Sequence, residues 1–408
     1  MQKSEDVVIP MAIISNPAIR VLAGSSQLDD RPLVPFADEV ISFLHDLSRA
    51  LLSNPLSKAY PDVITLGYYC RKSNIQTLKA VFGNTSELYR RIGRGLTLHI
   101  APSNVPVNFA YSFIFSLLAG NANIVRVPTK PFKQVALICE ALNGVLEQHL
   151  SIKKRSSFIT YSASTAITEE LSQIADARLI WGGDKTVSTI KALKSKPRCI
   201  DIVFGDRYSV AFFSSRAMLE ASEEELISVA DGFYNDTFLM DQNACSSPQC
   251  IFWLDGCEDG KERFWQFLEK LVQEKYEMQA ETTINHYVQF CEDMLSDTIA
   301  TEAHCIKSTV YHVQLSSSVR DLTSCRGIGG YFYEKDITTL EEALPFIDER
   351  YQTAVYYEVE ADAIIDTIVS GSSKGFDRIV KVGSALDIGV IWDGYNLIDS
   401  LSRTIVRG

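Results

Sequence analysis

Apolar and charged positions alternate at helical spacing over residues 36–52, which predicts an amphipathic helix there. From Gly95 the period shortens. LTLHIA reads as a buried strand, APSNVP as a polar turn with Pro106 at a helix start, and VNFAYSFIFSLLA as a buried helix ending at Gly120. ANIVRV is the next strand, PTKP a link, and residues 134–149 a helix. SFITY, ITEELSQIA, ARLIW, KTVSTIKAL and CIDIVF then alternate strand and helix. Strand–helix–strand repetition over short links predicts right-handed crossovers and a mainly parallel sheet. Such a sheet binds its ligand at the carboxyl ends of its strands, here 101–106, 128–130, 182–184 and 205–207.

After a helix over 223–233, the chain turns small and polar in DQNACSSPQC, then apolar in IFWL. A lobe boundary is expected near Met240. Beyond it, helices over 260–276 and 284–295 mix with strands TVYHVQL, GGYFYE and AVYYEV. The last strand, TIVRG, has no local partner, so it pairs in its own sheet or with a second subunit. The fold class is α/β in two lobes. Internal repeats and low-complexity tracts are absent from the sequence.

Composition narrows this picture. The chain has 408 residues, 46% hydrophobic and 22% charged, which fits two globular lobes. A net charge of -12 argues against a nucleic-acid binder, while leaving room for a local basic pocket. The first residues carry Glu5 and Asp6 and no long apolar core, so they do not read as a secretion signal. The apolar stretch 105–120 is too short for a membrane span and contains Asn108, Ser112 and Ser116. A cytoplasmic protein is expected. The nine cysteines are scattered without a CxxC pair, and the histidines lack HExxH spacing, so neither a disulfide framework nor a metal site is expected.

Four places offer chemistry. Cys245 sits in a loop of small polar residues, where a thiol gains the exposure and donors a nucleophile needs; the alternative is a buried thiol acting as a small apolar side chain. Asn104 lies at a strand-to-helix turn, where its amide serves either as an oxyanion donor or as a helix cap. Gly182 and Gly183, followed by Lys185 and Thr186, let backbone approach a ligand at a helix N-terminus, although this is not a GxGxxG fingerprint. Arg126, Thr129 and Lys130 either hold a ribose phosphate or line a solvated loop.

Taken in order, these features resemble the aldehyde dehydrogenase superfamily. The matching segments are APSNVPV, GNANIVRVPTK, WGGDKT and DQNACSSPQ. From Gly95 onward, WGGDKT, FGDRYSVAF, DQNACSSPQC and WDGYNL…LSR are similar to the LuxC acyl-CoA reductases. The resemblance implies a Rossmann-like cofactor lobe over 1–239, a catalytic cysteine lobe over 240–378, and a segment 379–408 returning to the first lobe or to a partner subunit. It implies an acyl thioester reductase with Cys245 as nucleophile and Asn104 as oxyanion donor. NADPH would be held by Ser103, Arg126, Thr129, Lys130, Gly182, Gly183, Lys185 and Thr186. The donor would be acyl-CoA or an acyl-protein, with an acyl-protein synthetase as partner and a homo-oligomer as the assembly. Two departures matter. Hydrolytic aldehyde dehydrogenases carry an E-L-G-G glutamate that activates water, whereas DIVFGDRYSV has none. The E-I-F-G-P segment that touches cofactor ribose is also missing, RGIGGYF being the nearest match. An acyl-cysteine without a hydrolytic base favours reduction; an acylating dehydrogenase running in the oxidative direction and a silent scaffold are the alternatives.

Overall fold

The computed structural model describes residues 11–12, 16–83, 88–102, 105–296, 299–306 and 309–408, without the side chains of 11, 12 and 306. The chain divides into two compact units, Met1–Gly205 with Tyr395–Gly408, and Asp206–Gly394. The boundary expected near Met240 thus falls earlier. The cause is a strand that alternation did not announce, YSVAFFS at Tyr208–Ser214. All seven of its residues are buried, and it pairs on both sides within the second sheet. A strand covered on both faces reads as a continuous apolar run, without the period of two that marks a half-buried strand.

In the first unit, α1 (Asp38–Ser53) buries Val40, Leu44, Leu47 and Leu51 along one face, with Asp38 and Glu39 at its positive end. Helices α2 (Pro61–Tyr69) and α3 (Lys72–Phe82) follow. The strands are β1 (Arg20–Gly24), β2 (Tyr89–Gly93), β3 (Leu96–Ile100), β4 (Ala122–Arg126), β5 (Ser156–Thr160), β6 (Ala177–Trp181) and β7 (Ile200–Phe204). Between them run α4 (Asn108–Leu118), α5 (Lys133–Leu146), α6 (Thr165–Ile174) and α7 (Asp184–Lys191). The sheet order is β1-β5-β4-β3-β6-β7, parallel except for β1. The chain moves one way from β3 to β4 and β5, then returns to β6 and β7. The crevice therefore opens between the carboxyl ends of β3 and β6. Every residue of α4 after Asn108 is buried. Inside this layer His99 is fully buried, with Nδ1 2.7 Å from Ser112 Oγ and Nε2 3.0 Å from Asn123 Oδ1. Burial holds its imidazole down at about 4, so it is a neutral structural group. The last strand, Ser402–Val406, pairs antiparallel with β2 of its own chain in a two-stranded ladder.

The second unit contains β8 (Tyr208–Ser214), α8 (Glu223–Thr237), β9 (Pro248–Leu254), α9 (Glu258–Lys275), α10 (Ala280–Leu295), β10 (Ala300–Ile306), β11 (Val310–Leu315), β12 (Tyr331–Asp336), β13 (Tyr351–Tyr357), α11 (Ala361–Ser370) and β14 (Arg378–Lys381). Their order is β10-β11-β12-β9-β8-β13-β14, with only the β10/β11 pair antiparallel. Alternate residues of β8 feed two cores. Ala211 and Phe213 join Phe233, Trp253 and Phe264, while Val210 and Phe212 join Phe252, Tyr333 and Tyr351. Helix α8 begins at a capping box, Ser222 with Glu225. Among the described residues, no helix is long and apolar enough to cross a membrane.

Candidate active site

Cys245 lies between the end of α8 and the start of β9, and that loop is tightly held. Asp241 and Gln242 take left-handed backbone, φ 49° and 60°, which turns the chain sharply after Met240. The Gln242 N–H then donates to Thr237 O (2.7 Å), and Asn243 N–H to Met240 O (2.8 Å). The buried Gln242 amide donates to Pro248 O and Tyr331 O, each at 3.1 Å, and accepts from Gly330 N–H at 3.2 Å. Gln249 donates to Gln242 O (3.0 Å) and accepts from Gly327 N–H (2.8 Å). Two side-chain amides thus tie the cysteine loop to RGIGGYF. Gly330 permits the approach: its φ is 110°, and a Cβ there would sit 2.9 Å from the Phe238 ring. Ser247 Oγ closes the loop onto Asp236 O of α8 at 2.7 Å.

Cys245 itself is exposed, a property it shares among the nine cysteines only with Cys305 on the edge strand β10. Its carbonyl accepts from Ser209 Oγ at 2.6 Å, and that hydroxyl in turn accepts from Thr353 N–H at 3.2 Å. The thiol is nevertheless pushed up, to about 11. Protein packed around the sulfur displaces much of its water, and the Asp393 and Asp206 carboxylates repel a thiolate. Arg326 and the backbone N–H of Arg207 act in the opposite direction. Arg326 is also paired with Asp206 at 3.0 Å. Arg207, Ser209, Gln242, Gln249 and Asp393 were not singled out as site residues from sequence. FGDRYS, DQNACSSPQC and WDG marked all five as motif members without assigning them a role.

The other candidate residues lie in the first unit. Ser103 and Asn104 fall outside the described residues. Arg126, at the carboxyl end of β4, stacks its guanidinium on the buried Tyr161 ring at 4.6 Å. Its Nε is buried and has no hydrogen-bond partner among the described residues, so a donor stands ready for an anion. Lys130 extends over Phe132 at 5.1 Å and is exposed with Thr129 nearby in the chain. Gly183 caps α7 in extended conformation, and a Cβ there would meet nothing within 4 Å, so the backbone is open to a ligand. Gly182 bonds back to Phe204 O at 3.1 Å and lies against Thr186, while Lys185 is exposed. Trp181 and Phe204 stack at 3.6 Å, so where the resemblance would place a water-activating carboxylate the chain carries a buried aromatic pair. The loops after β4 and β6 thus both stand at the carboxyl edge of one sheet, with an orphaned cation donor and an open helix start. These features fit the phosphates of a nicotinamide dinucleotide.

Comparison with known proteins agrees with this architecture. The chain superposes on lactaldehyde dehydrogenase from Escherichia coli with a TM-score of 0.62 and 13% identity, over 90% of this chain and 86% of that one. A variant of proline utilization A from Bradyrhizobium japonicum gives 0.63 and 15%, over 91% and 42%. The fold is therefore that of aldehyde dehydrogenases. In sequence, the chain is 24% identical over 302 residues to the long-chain acyl-protein thioester reductase of Vibrio harveyi, covering 72% of this chain and 60% of that protein. The protein of the same description in Photorhabdus luminescens is 23% identical over 326 residues, covering 76% and 63%. The chain thus spans about three-fifths of the length of these relatives. The profile described as Acyl-CoA reductase (LuxC) matches residues 77–404. With that match running through both sheets, the chain belongs to the LuxC acyl-CoA reductase family.

Proposed function

We propose that this protein reduces an activated acyl thioester to an aldehyde through an acyl-Cys245 intermediate, with NADPH as reductant. The observation that carries this reading is Cys245 itself: an exposed residue, its sulfur shielded by the protein around it, in a loop fixed by two buried amides, within a chain of this family. The relatives bear the description acyl-protein thioester reductase, and the same substrate class, acyl-protein or acyl-CoA, is proposed here.

Cys245 sulfur attacks the thioester carbonyl and forms a new C–S bond. The donor's C–S bond breaks, and its thiol leaves carrying the proton that Cys245 gave up. Asn104 and the Cys245 N–H are the proposed donors to the oxyanion; losing one should cost on the order of a hundredfold in rate. A bound NADPH supplies the hydride that reduction of the acyl-cysteine requires. Arg126, Thr129, Lys130 and Ser103, with the backbone at Gly182 and Gly183 and the side chains of Lys185 and Thr186, would hold it. Cys245 then releases the aldehyde by breaking the C–S bond of the thiohemiacetal. The buried Phe204 leaves no carboxylate at that position to activate water, which favours survival of the acyl-cysteine. An acyl-protein synthetase as donor and self-association of the chain belong to the same reading.

One experiment tests it. Intact mass after incubation with acyl-CoAs of graded chain length should show one acyl adduct, absent in Cys245→Ala. Adding NADPH should discharge the adduct as aldehyde, and faster than NADH does. Adduct persisting in Cys245→Ala removes the nucleophile, and equal discharge by both nucleotides removes the proposed 2′-phosphate contact.

A further inference from the structure

That chemistry leaves one contact of the nucleophile's turn without a role. Ser247 N–H donates to Ala244 O at 2.9 Å, which closes a β-turn with Cys245 and Ser246 at its centre. The peptide between those two central residues takes no part in the closing bond, so a group outside the turn must fix it. Its carbonyl is Cys245 O, and the donor is Ser209 Oγ at 2.6 Å. A peptide is planar and trans, so a held carbonyl also sets the Ser246 N–H on the opposite side and the backbone torsion that follows the Cys245 Cα.

Ser209 is fully buried, and both ladders beside it break there. Against β9 the register passes from Ser209↔Pro248 to Val210↔Cys250, skipping Gln249. Against β13 it passes from Tyr208↔Tyr351 to Val210↔Ala354. Bulges are rare in parallel pairs, and they gather beside active sites, where they re-aim a side chain. Here the break on the β13 side brings Thr353 N–H to Ser209 Oγ at 3.2 Å, so the hydroxyl stands in for a strand carbonyl. A hydroxyl has one proton to give, and with Oγ accepting from Thr353 that proton goes to Cys245 O. One side chain thus accepts from β13 and donates to the turn that leads into β9.

We propose that Ser209 is a positioning residue for Cys245: its hydroxyl, held by Thr353 N–H, locks the central peptide of the turn and so fixes where the nucleophile stands for acyl transfer. The inference rests on reading Cys245 as the acylated thiol. Acyl transfer needs the sulfur to meet a bound carbonyl in one geometry, and a misplacement of about 1 Å can cost about a hundredfold in rate. Alkylation by a small diffusing reagent has no bound geometry to satisfy. The two reactions therefore separate placement of the thiol from its accessibility. A second serine supplies the control. Ser215 is also fully buried, and its hydroxyl makes the same pair of bonds, donating to Leu254 O and accepting from Cys257 N–H at 2.9 Å. It stands at the other end of β8, roughly 20 Å along the strand from Ser209.

The test measures two rates at Cys245 in the full chain, each followed on the peptide that contains it: acylation by a long-chain acyl-CoA and alkylation by iodoacetamide. Ser209→Ala should acylate at least about tenfold more slowly than the parent, while its alkylation stays within about twofold. Ser215→Ala loses bonds of the same kind and should acylate at the parental rate. Parental acylation in Ser209→Ala overturns the proposal. So does an equal loss in Ser215→Ala, or alkylation slowed as much as acylation, since either marks loosening of the whole unit. If Ser209→Ala does not accumulate as folded protein, Ser209→Cys keeps the volume with a weaker donor and should still acylate more slowly; parental acylation there overturns the proposal. The two readings fail differently. An acyl adduct missing from the parent defeats the reductase reading and this inference with it, whereas an adduct that forms equally fast in parent and Ser209→Ala defeats the inference alone.

Discussion

At Cys245 the resting protein opposes ionisation. With the thiol pushed up to about 11, only ~1 in 10,000 molecules carries thiolate at pH 7. The sign follows directly: below the pKa the thiolate fraction rises tenfold per pH unit, and so should reactivity toward a small alkylating reagent. The expected profile is a straight climb from pH 7 to 10, and a plateau near pH 8 would contradict the environment described. Reactivity of the resting thiol at neutral pH is therefore expected to be low. Cys245 was marked as a candidate in the sequence less by its loop of small polar residues than by the place of that loop after the turns at Asn104, Arg126 and Gly182, and its role as nucleophile is the proposal made above. Ser209 was not, because its bond to the Cys245 carbonyl is made by the fold between residues 36 apart, and no local pattern encodes it.

At the scale of elements, the cysteine loop is built by contacts with β12 and the glycine-rich turn before it. Gln242 makes three hydrogen bonds to main-chain groups of Pro248, Gly330 and Tyr331. Truncating it leaves those groups buried and unpaired, each costing roughly 1–3 kcal/mol. Gln242→Ala should therefore lower the thermal midpoint clearly and reduce acyl labelling at Cys245 even where folded protein is recovered. Gln242→Glu supplies acceptors but no donor, so it should not rescue labelling. Normal labelling in both variants would show that the strap does not position the thiol. The strands of the first sheet were readable as short apolar runs set between helical stretches and turn residues, although β3 and β6 are buried at every residue. β8 was not read as a strand because it follows β7 across residues 205–207 with no helix between them, so the strand–helix alternation that marked the other apolar runs was missing there, and overlooking it displaced the unit boundary. The amide straps escaped notice for a related reason: Gln242 and Gln249 are unremarkable polar residues until the glycine turn is brought against them.

At the scale of the whole molecule, the chain closes its first unit with its last residues. Leu397, Ile398 and Leu401 are fully buried there. Asn121, at the turn between α4 and β4, donates to Leu401 O at 2.9 Å while its carbonyl accepts from Arg94 N–H at 2.6 Å and Gly95 N–H at 3.2 Å. Arg94 Nε adds a bond to Ser400 O at 2.7 Å. The terminal strand beyond is different in kind: Ile405 and Val406 are exposed, and its ladder is shared with β2 alone. Two truncations should therefore behave unequally. A chain ending at Ser402 loses a short exposed ladder and should fold with a midpoint lowered by a few degrees, on the order of 1 kcal/mol. A chain ending at Asn396 loses three buried aliphatic side chains at about 1.5–3 kcal/mol each. That sum, roughly 5–9 kcal/mol, is comparable to the whole stability of a domain, about 5–15 kcal/mol. The first unit should then fail to hold, while the second, with its own sheet and two cores, keeps its protease-resistant fragment. Thermal unfolding and limited proteolysis of the two truncations distinguish these outcomes, and a chain ending at Asn396 that melts with the parent would show that the C-terminal segment is an accessory to the first unit and not part of its core.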